Sequence, residues 1–93
     1  MKKIVAPLVS ANEDIARIVE ILIKNNQHCK KGQIVFVLET SKSSLEVEAE
    51  EEGYICSVCK VGDEIKAGDV LALISDNKIQ KKDLEQFLEK KTQ

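Results

Sequence analysis

The middle of the chain, residues 32–50, reads GQIVFVLETSKSSLEVEAE. An unbroken apolar run, Ile34 to Leu38, is followed by short polar residues and then by Ser44 to Glu50, where apolar residues alternate with glutamates. Alternation with a period of two is typical of a strand that has one face in the core and the other in water. The stretch therefore predicts two strands joined by a tight polar turn, with Lys42 in that turn.

An internal repeat of 36 residues organises the rest of the chain, because residues 23–38 align with residues 59–74. Each copy contains a strand, a turn, and then a glycine, Gly32 or Gly68, before a five-residue apolar strand. The first turn has Asn26 in one copy and Gly62 in the other, the residue types that most readily adopt a positive φ. Two similar units predict a domain with pseudo-two-fold symmetry.

The predicted fold is all-β. Turn residues break the chain before residue 76 into short segments, which predicts two small antiparallel sheets packed face to face as a flattened barrel-sandwich. Lys78 to Lys91 differs, because it lacks glycine and proline and has Leu84, Phe87 and Leu88 at helical spacing. We therefore expect a β domain over residues 1–76 and a short helical tail over residues 77–93.

Composition argues against nucleic-acid binding. Aromatic residues make up 3% of the chain and tryptophan is absent, so stacking platforms for bases are not expected. Residues 39–52 contain six glutamates and a single base, Lys42, and this stretch should repel polyanions.

Neither a targeting segment nor a membrane span is predicted. The apolar run near the start, Ile4 to Val9, is too short for a signal-peptide core, and no stretch approaches membrane-spanning length. Three cysteines, an odd number, without an export signal predict reduced thiols and a cytoplasmic location.

The pair Cys56 and Cys59 has the C-x-x-C spacing of redox and metal sites. However, the repeat aligns Cys59 with apolar Ile23 and Cys29 with apolar Ile65, so buried apolar cysteine is the simpler interpretation. A zinc site would need a fourth ligand, and the one histidine directly precedes Cys29, an awkward spacing for a closed site. We therefore expect no metal.

Residues 32–42, followed by an alternating strand and Gly53, resemble the lipoyl-attachment domain of 2-oxo acid dehydrogenase acyltransferases. The resemblance extends over roughly residues 3–76. In that family the modified lysine lies at the tip of a tight hairpin between two half-domains, and Lys42 has the matching position. The resemblance implies lipoate attached covalently to Lys42, within a recognition turn formed by Glu39, Thr40, Ser41 and Ser43.

The residues around Lys42 bear on the choice of cofactor. Lipoyl domains usually have Asp before and Ala after the lysine, where this chain has Ser41 and Ser43. Glu39, three residues before Lys42, fits the lipoyl pattern, in which an acidic residue helps the lipoylating enzyme to recognise its target. Biotinyl domains flank their lysine with methionine, and the one methionine here is Met1. The resemblance thus implies lipoate, with biotin as the alternative and an unmodified binding module of the same fold as a third hypothesis.

A carrier of this kind depends on partners. The resemblance implies a lipoate ligase or a lipoyl/octanoyl transferase, and 2-oxo acid dehydrogenase-type or other catalytic subunits between which a swinging arm carries intermediates. A catalytic site of its own is not expected, because the chain has one histidine and no glycine-rich phosphate loop.

Two surface features have alternative interpretations. The cluster Glu50–Glu52 is either a docking surface for a basic partner or solvated charge, and we favour solvated charge. The tail, residues 77–88, resembles the closing helix of the subunit-binding domain that follows lipoyl domains in acyltransferases. Alternatively, Leu84, Phe87 and Leu88 pack on the carrier itself.

Overall fold

A computed structural model describes residues 1–7 and 15–91 of the chain. Residues 8–14 of the expected β domain, including the end of the run Ile4 to Val9, and residues 92–93 of the expected tail lie outside the described residues. The strands are β1 (Lys2–Val5), β2 (Ala16–Ile21), β3 (Gln27–Cys29), β4 (Ile34–Glu39), β5 (Ser44–Glu48), β6 (Gly53–Ser57), β7 (Glu64–Ile65) and β8 (Val70–Ser75), and the helix is α1 (Lys81–Lys91).

The strands form two four-stranded antiparallel sheets, which confirms the predicted all-β class. Sheet 1 has the order β1-β8-β6-β3, and sheet 2 has the order β5-β4-β2-β7. Exchanging the first four strands with the last four converts one order into the other. Each half of the chain therefore contributes two strands to each sheet, so neither half can bury its apolar face alone.

The backbone hydrogen bonds confirm the 36-residue repeat. Leu22 donates to Val35 at 2.9 Å, and the amide 36 residues later, Val58, donates to Leu71 at 2.9 Å. The predicted positive φ in the first turn is also present, at 63° in Asn26 and 95° in Gly62. Asparagine tolerates this conformation because its short polar side chain carries a smaller steric cost there than most residues do. The two halves thus share one backbone path.

The core lies between the two sheets and is mostly aliphatic. Its largest fully buried side chain is Phe36. In β5 and the residue after it, Val47 and Ala49 are buried, whereas Glu46 and Glu48 are exposed. The predicted alternation is confirmed.

Strand β2 does not alternate regularly along its length. Ile18 and Ile23 are buried, whereas Val19 and Ile21 are half-buried. The pairing of β2 with β4 shifts between Ile18 and Glu20, so the extra residue reverses the alternation at that point.

All three cysteines are buried, which confirms the burial that the repeat indicated for Cys29 and Cys59. Cys59 belongs to the main core, whereas Cys56 belongs to a second cluster on the outer face of sheet 1, so the two residues of the C-x-x-C pair point into different apolar regions. Burial raises the pKa of the Cys29 and Cys56 thiols, which keeps them protonated at neutral pH. Among residues 1–7 and 15–91, no group of three or more His, Cys, Asp or Glu side chains is placed to hold a metal ion.

Helix α1 covers the outer face of sheet 1. Leu84 and Phe87 pack against the second cluster, which includes Leu73 and Ile79, whereas Leu88 remains 37% exposed. The helix begins at Lys81 and not at Lys78, because the preceding segment inserts Ile79 into the cluster. Asn26 fixes this segment through two hydrogen bonds, accepting from Ile79 N at 2.7 Å and donating to Ile79 O at 2.9 Å. Of the two interpretations of the tail, packing on the β domain is observed.

Candidate functional site

The exposed turn between β4 and β5 places Lys42 at the end of a two-stranded hairpin. Glu39 pairs with Ser44 at the base of the turn, and the amide of Thr40 donates to Ser43 O at 2.8 Å. Ser41 and Lys42 form the tip, and both are exposed. Neither has a positive φ, so the turn needs no glycine. The predicted flanking residues therefore lie together in this turn and at its base.

Thr40 organises this turn through its hydroxyl. Its Oγ1 accepts hydrogen bonds from Lys42 N at 3.2 Å and from Ser43 N at 3.0 Å, and it donates to Ser43 O at 3.1 Å. These contacts satisfy amides that the hairpin ladder leaves unpaired. The resemblance implied that Thr40 belongs to a recognition turn, and the geometry adds that its hydroxyl holds the backbone of Lys42.

The side chain of Lys42 is exposed to solvent. Within the described part of the chain it forms no hydrogen bond or ion pair, and the hydroxyls of Ser41 and Ser43 take no part in the bonds of the turn. A lysine ammonium is protonated at neutral pH, so it needs an enzyme to deprotonate it before it can act as a nucleophile. The turn thus presents an exposed lysine that has no charged partner among the described residues.

Arg17 lies opposite Glu39 at the base of the turn, and Glu64 follows on the next strand, although the sequence pointed to neither residue. In sheet 2, Arg17 is the cross-strand partner of both Glu39 and Glu64. Its guanidinium lies 3.7 Å from the Glu64 carboxylate and 3.4 Å from Gly62 O. The pairing of strands that are distant in sequence leaves no local pattern. The row of Glu39, Arg17 and Glu64 across sheet 2 could therefore not be found from the sequence.

The acidic cluster Glu50–Glu52 lies beyond the end of β5 that is farther from Lys42. An open cleft there, of ≈390 Å³, has Met1, Asp76 and two of these glutamates in its lining. Glu51 pairs with Lys2 and raises the pKa of that ammonium through a hydrogen bond and its charge. Glu52 lies 3.3 Å from His28 Nε2. Since two of the three glutamates have partners in the domain, solvated and locally paired charge remains our interpretation.

Replacing Thr40 by valine should lower the free energy of unfolding by about 1 kcal/mol, because the isosteric side chain cannot make the three hydroxyl hydrogen bonds. The turn would become less ordered, and attachment of a group to Lys42 should become slower. Urea denaturation and a time course of intact mass measure the two effects. Ser41→Ala is the matched control and should change stability by less than about 0.5 kcal/mol. Equal effects of the two variants would contradict the assigned role of Thr40.

Fold and site together define a class: small β carrier domains, built from two interleaved halves, that present one lysine on a hairpin. The family model described as "Biotin-requiring enzyme", Biotin_lipoyl, matches residues 2–74. The chain belongs to this biotin/lipoyl attachment family, whose members carry covalently attached lipoate or biotin.

Two relatives represent both cofactors. The chain is 34% identical to the "Biotinylated protein TB7.3 homolog" of Mycobacterium leprae over 64 residues, which cover 68% of this chain and 90% of that protein. It is 38% identical over 60 residues to the "Dihydrolipoyllysine-residue acetyltransferase component of pyruvate dehydrogenase complex" of Mycoplasma capricolum. That match covers 63% of this chain and 14% of the acetyltransferase component. The names of these two relatives refer to biotin in one case and to a lipoyl group in the other.

Among the described residues, no helix is long and apolar enough to cross a membrane.

Proposed function

We propose that Lys42 carries a lipoyl group and that residues 1–76 form the attachment domain, with residues 77–93 as a tail on its surface. The observation that carries the proposal is the presentation of Lys42: an exposed tip on two paired strands, with its backbone held by Thr40. A swinging arm needs a tip that is free in solvent and a base that is rigid. Both conditions hold at Lys42.

The residues around the tip favour lipoate over biotin. Glu39 is exposed and lies directly beside the turn, where an approaching lipoylating enzyme could contact it. Ser41 and Ser43 occupy the positions that biotinyl domains fill with methionine. The acetyltransferase relative is consistent with this assignment.

Attachment would form an amide between Lys42 Nζ and an activated lipoyl carbonyl, with loss of the activating group and of the lysine charge. A lipoate ligase or a lipoyl/octanoyl transferase would supply the activated group and remove the proton. When bound, lipoate supplies a dithiolane that accepts an acyl or aminomethyl group and is later reoxidised. The domain contributes reach and a high effective concentration at each active site of 2-oxo acid dehydrogenase-type subunits in the cytoplasm.

Biotin is the second candidate, and one observation favours it. The biotinylated relative matches almost along its whole length, whereas the acetyltransferase match covers a small part of a much larger protein. A similar hairpin lysine would serve either cofactor, so geometry alone does not decide between them.

Intact-mass measurement after co-expression with a lipoate ligase, and separately with a biotin ligase, tests the proposal. We expect complete addition of one lipoyl group in the first case and little or no biotinyl addition in the second. Biotinyl mass alone would establish the second candidate. An unchanged mass with both enzymes would contradict the carrier function and favour an unmodified binding module.

A further inference from the structure

The two sheets have repeat-related outer faces, but α1 covers only one of them. On sheet 1, Val70 and Leu73 pack in the second cluster beneath the helix. The residues 36 positions earlier, Ile34 and Val37, lie at the equivalent places on sheet 2 and are half-buried. Neither belongs to either apolar cluster of the described residues. Sheet 2 thus has an apolar strip equivalent to the one that α1 covers on sheet 1. Within the described part of the chain, no helix covers the strip on sheet 2.

Glutamates surround the strip on sheet 2. Glu20 and Glu46 are the cross-strand partners of Val37, and Glu48 is the partner of Ile34, so these side chains share one face. Glu39 follows on β4 toward the lysine turn. We call this surface the acidic face; its residues are Glu20, Glu39, Glu46 and Glu48 around Leu22, Ile34 and Val37. The four carboxylates form no ion pair among the described residues.

The covered face of sheet 1 indicates what the acidic face accepts. There an amphipathic helix lies on the apolar strip, and the neighbouring strand β1 places Lys3 Nζ 5.9 Å from the centre of the Phe87 ring. Strand β5 has the place in sheet 2 that β1 has in sheet 1, and its outward residues include Glu46 and Glu48. The charge beside the apolar strip is thus positive on sheet 1, at Lys3, and negative on sheet 2, at Glu46 and Glu48. A helix that fits sheet 2 should keep the apolar stripe of α1 and carry lysine or arginine beside it.

We propose that the acidic face of sheet 2 docks a basic amphipathic helix of a partner protein. The face begins with Glu39, directly before the Lys42 turn, so a protein docked there would lie alongside that lysine. The proposal does not depend on which group Lys42 carries, or on whether it carries one. If Lys42 is not modified, the docking proposal is unaffected. If no helix docks on the acidic face, the proposal that Lys42 carries a lipoyl group is unaffected.

A synthetic helix tests the proposal on the full chain by NMR. The probe is residues 77–91 of this protein with Asp83→Lys, Glu85→Lys and Glu89→Lys, which retains the apolar stripe and adds positive charge. Amide shifts should change at Leu22, Ile34 and Val37, and binding should weaken as salt is added. The unsubstituted peptide should bind about tenfold more weakly. Shifts confined to Cys56 and Leu73, where α1 lies, would overturn the proposal, as would the absence of binding.

Charge reversal on the protein provides the second measurement. Glu20→Lys with Glu46→Lys should weaken binding of the basic probe by about tenfold. The matched control is Glu50→Lys with Glu85→Lys, which changes the net charge equally but lies off the acidic face, and it should leave affinity nearly unchanged. If both double variants lose the same affinity for the probe, the attraction depends on net charge alone, and the proposal is overturned. Dimerisation of the chain in sedimentation, lost in the Glu20→Lys/Glu46→Lys variant, would overturn it in favour of a second copy as occupant.

Discussion

Replacing Lys42 by arginine should reduce incorporation of the attached group from complete to undetectable in the co-expression experiment. Arginine keeps the positive charge and length of the side chain, and the turn should survive because its hydrogen bonds use the backbone of residue 42. The guanidinium stays protonated and cannot form the amide under conditions that modify lysine. Intact mass should therefore show the unmodified chain alone, with no change in thermal unfolding.

The repeat supplies the control for this experiment. Lys78 lies 36 residues after Lys42 and is also exposed, but it belongs to the segment that leads into α1 and not to a hairpin turn. Lys78→Arg should leave incorporation complete. If Lys42→Arg retains the added mass and Lys78→Arg loses it, the attachment site is at the pseudo-symmetric position and the assignment of Lys42 is wrong.

The features that could be predicted are those with a local or periodic signal. The 36-residue repeat, the alternation in Ser44 to Glu50 and the positive φ at Asn26 and Gly62 each depend on a few neighbouring residues. Together they were enough for the two-sheet architecture and for the place of Lys42 between two strands. A second copy of the turn and of the apolar strand that follows it makes a chance match less plausible.

The features that could not be predicted depend on contacts between distant segments. Glycine is needed at residue 53 because a Cβ there would lie 2.6 Å from Ser75 O, a contact set by how closely β8 passes β6. The extra residue in β2, which buries Ile18 in place of Val19, depends on the register with β4. Neither has a signature within a short window.

The candidate site follows the same division. Lys42 and Glu39 were found because they lie in one segment that resembles a known motif. Arg17 was missed because its place beside Glu39 is a matter of strand pairing, and the role of Thr40 depends on the path of the turn. The acidic face required the comparison of two sheets, although each of its glutamates is visible in the sequence.

Replacing Phe36 by alanine should lower the free energy of unfolding by about 3–5 kcal/mol. Phe36 is fully buried, and its cross-strand partners are Ile21 and Val47. The repeat places Ala72 at the equivalent position, so the aromatic ring occurs in only one half of the core. Truncation therefore leaves a cavity between two sheets whose spacing is fixed by the surrounding strands.

The loss would be a large share of the stability of this domain, since a chain of 93 residues is expected to have about 5–14 kcal/mol in total. We expect a fall in Tm on the order of 15 °C, measured by calorimetry, and a matching shift of the urea midpoint. Phe87, the other phenylalanine of the chain, is half-buried between α1 and sheet 1. Phe87→Ala removes the same atoms and should lower the free energy of unfolding by about 1–2 kcal/mol.

This comparison separates the core from the surface helix. Below its own transition, the Phe36→Ala variant should still accept the group on Lys42, because the turn is held by Thr40 and not by the core side chain. If Phe87→Ala proved the more destabilising of the two, the packing of α1 on sheet 1, and not the space between the sheets, would be the main source of stability. The lysine hairpin would then depend on the tail for its rigid base.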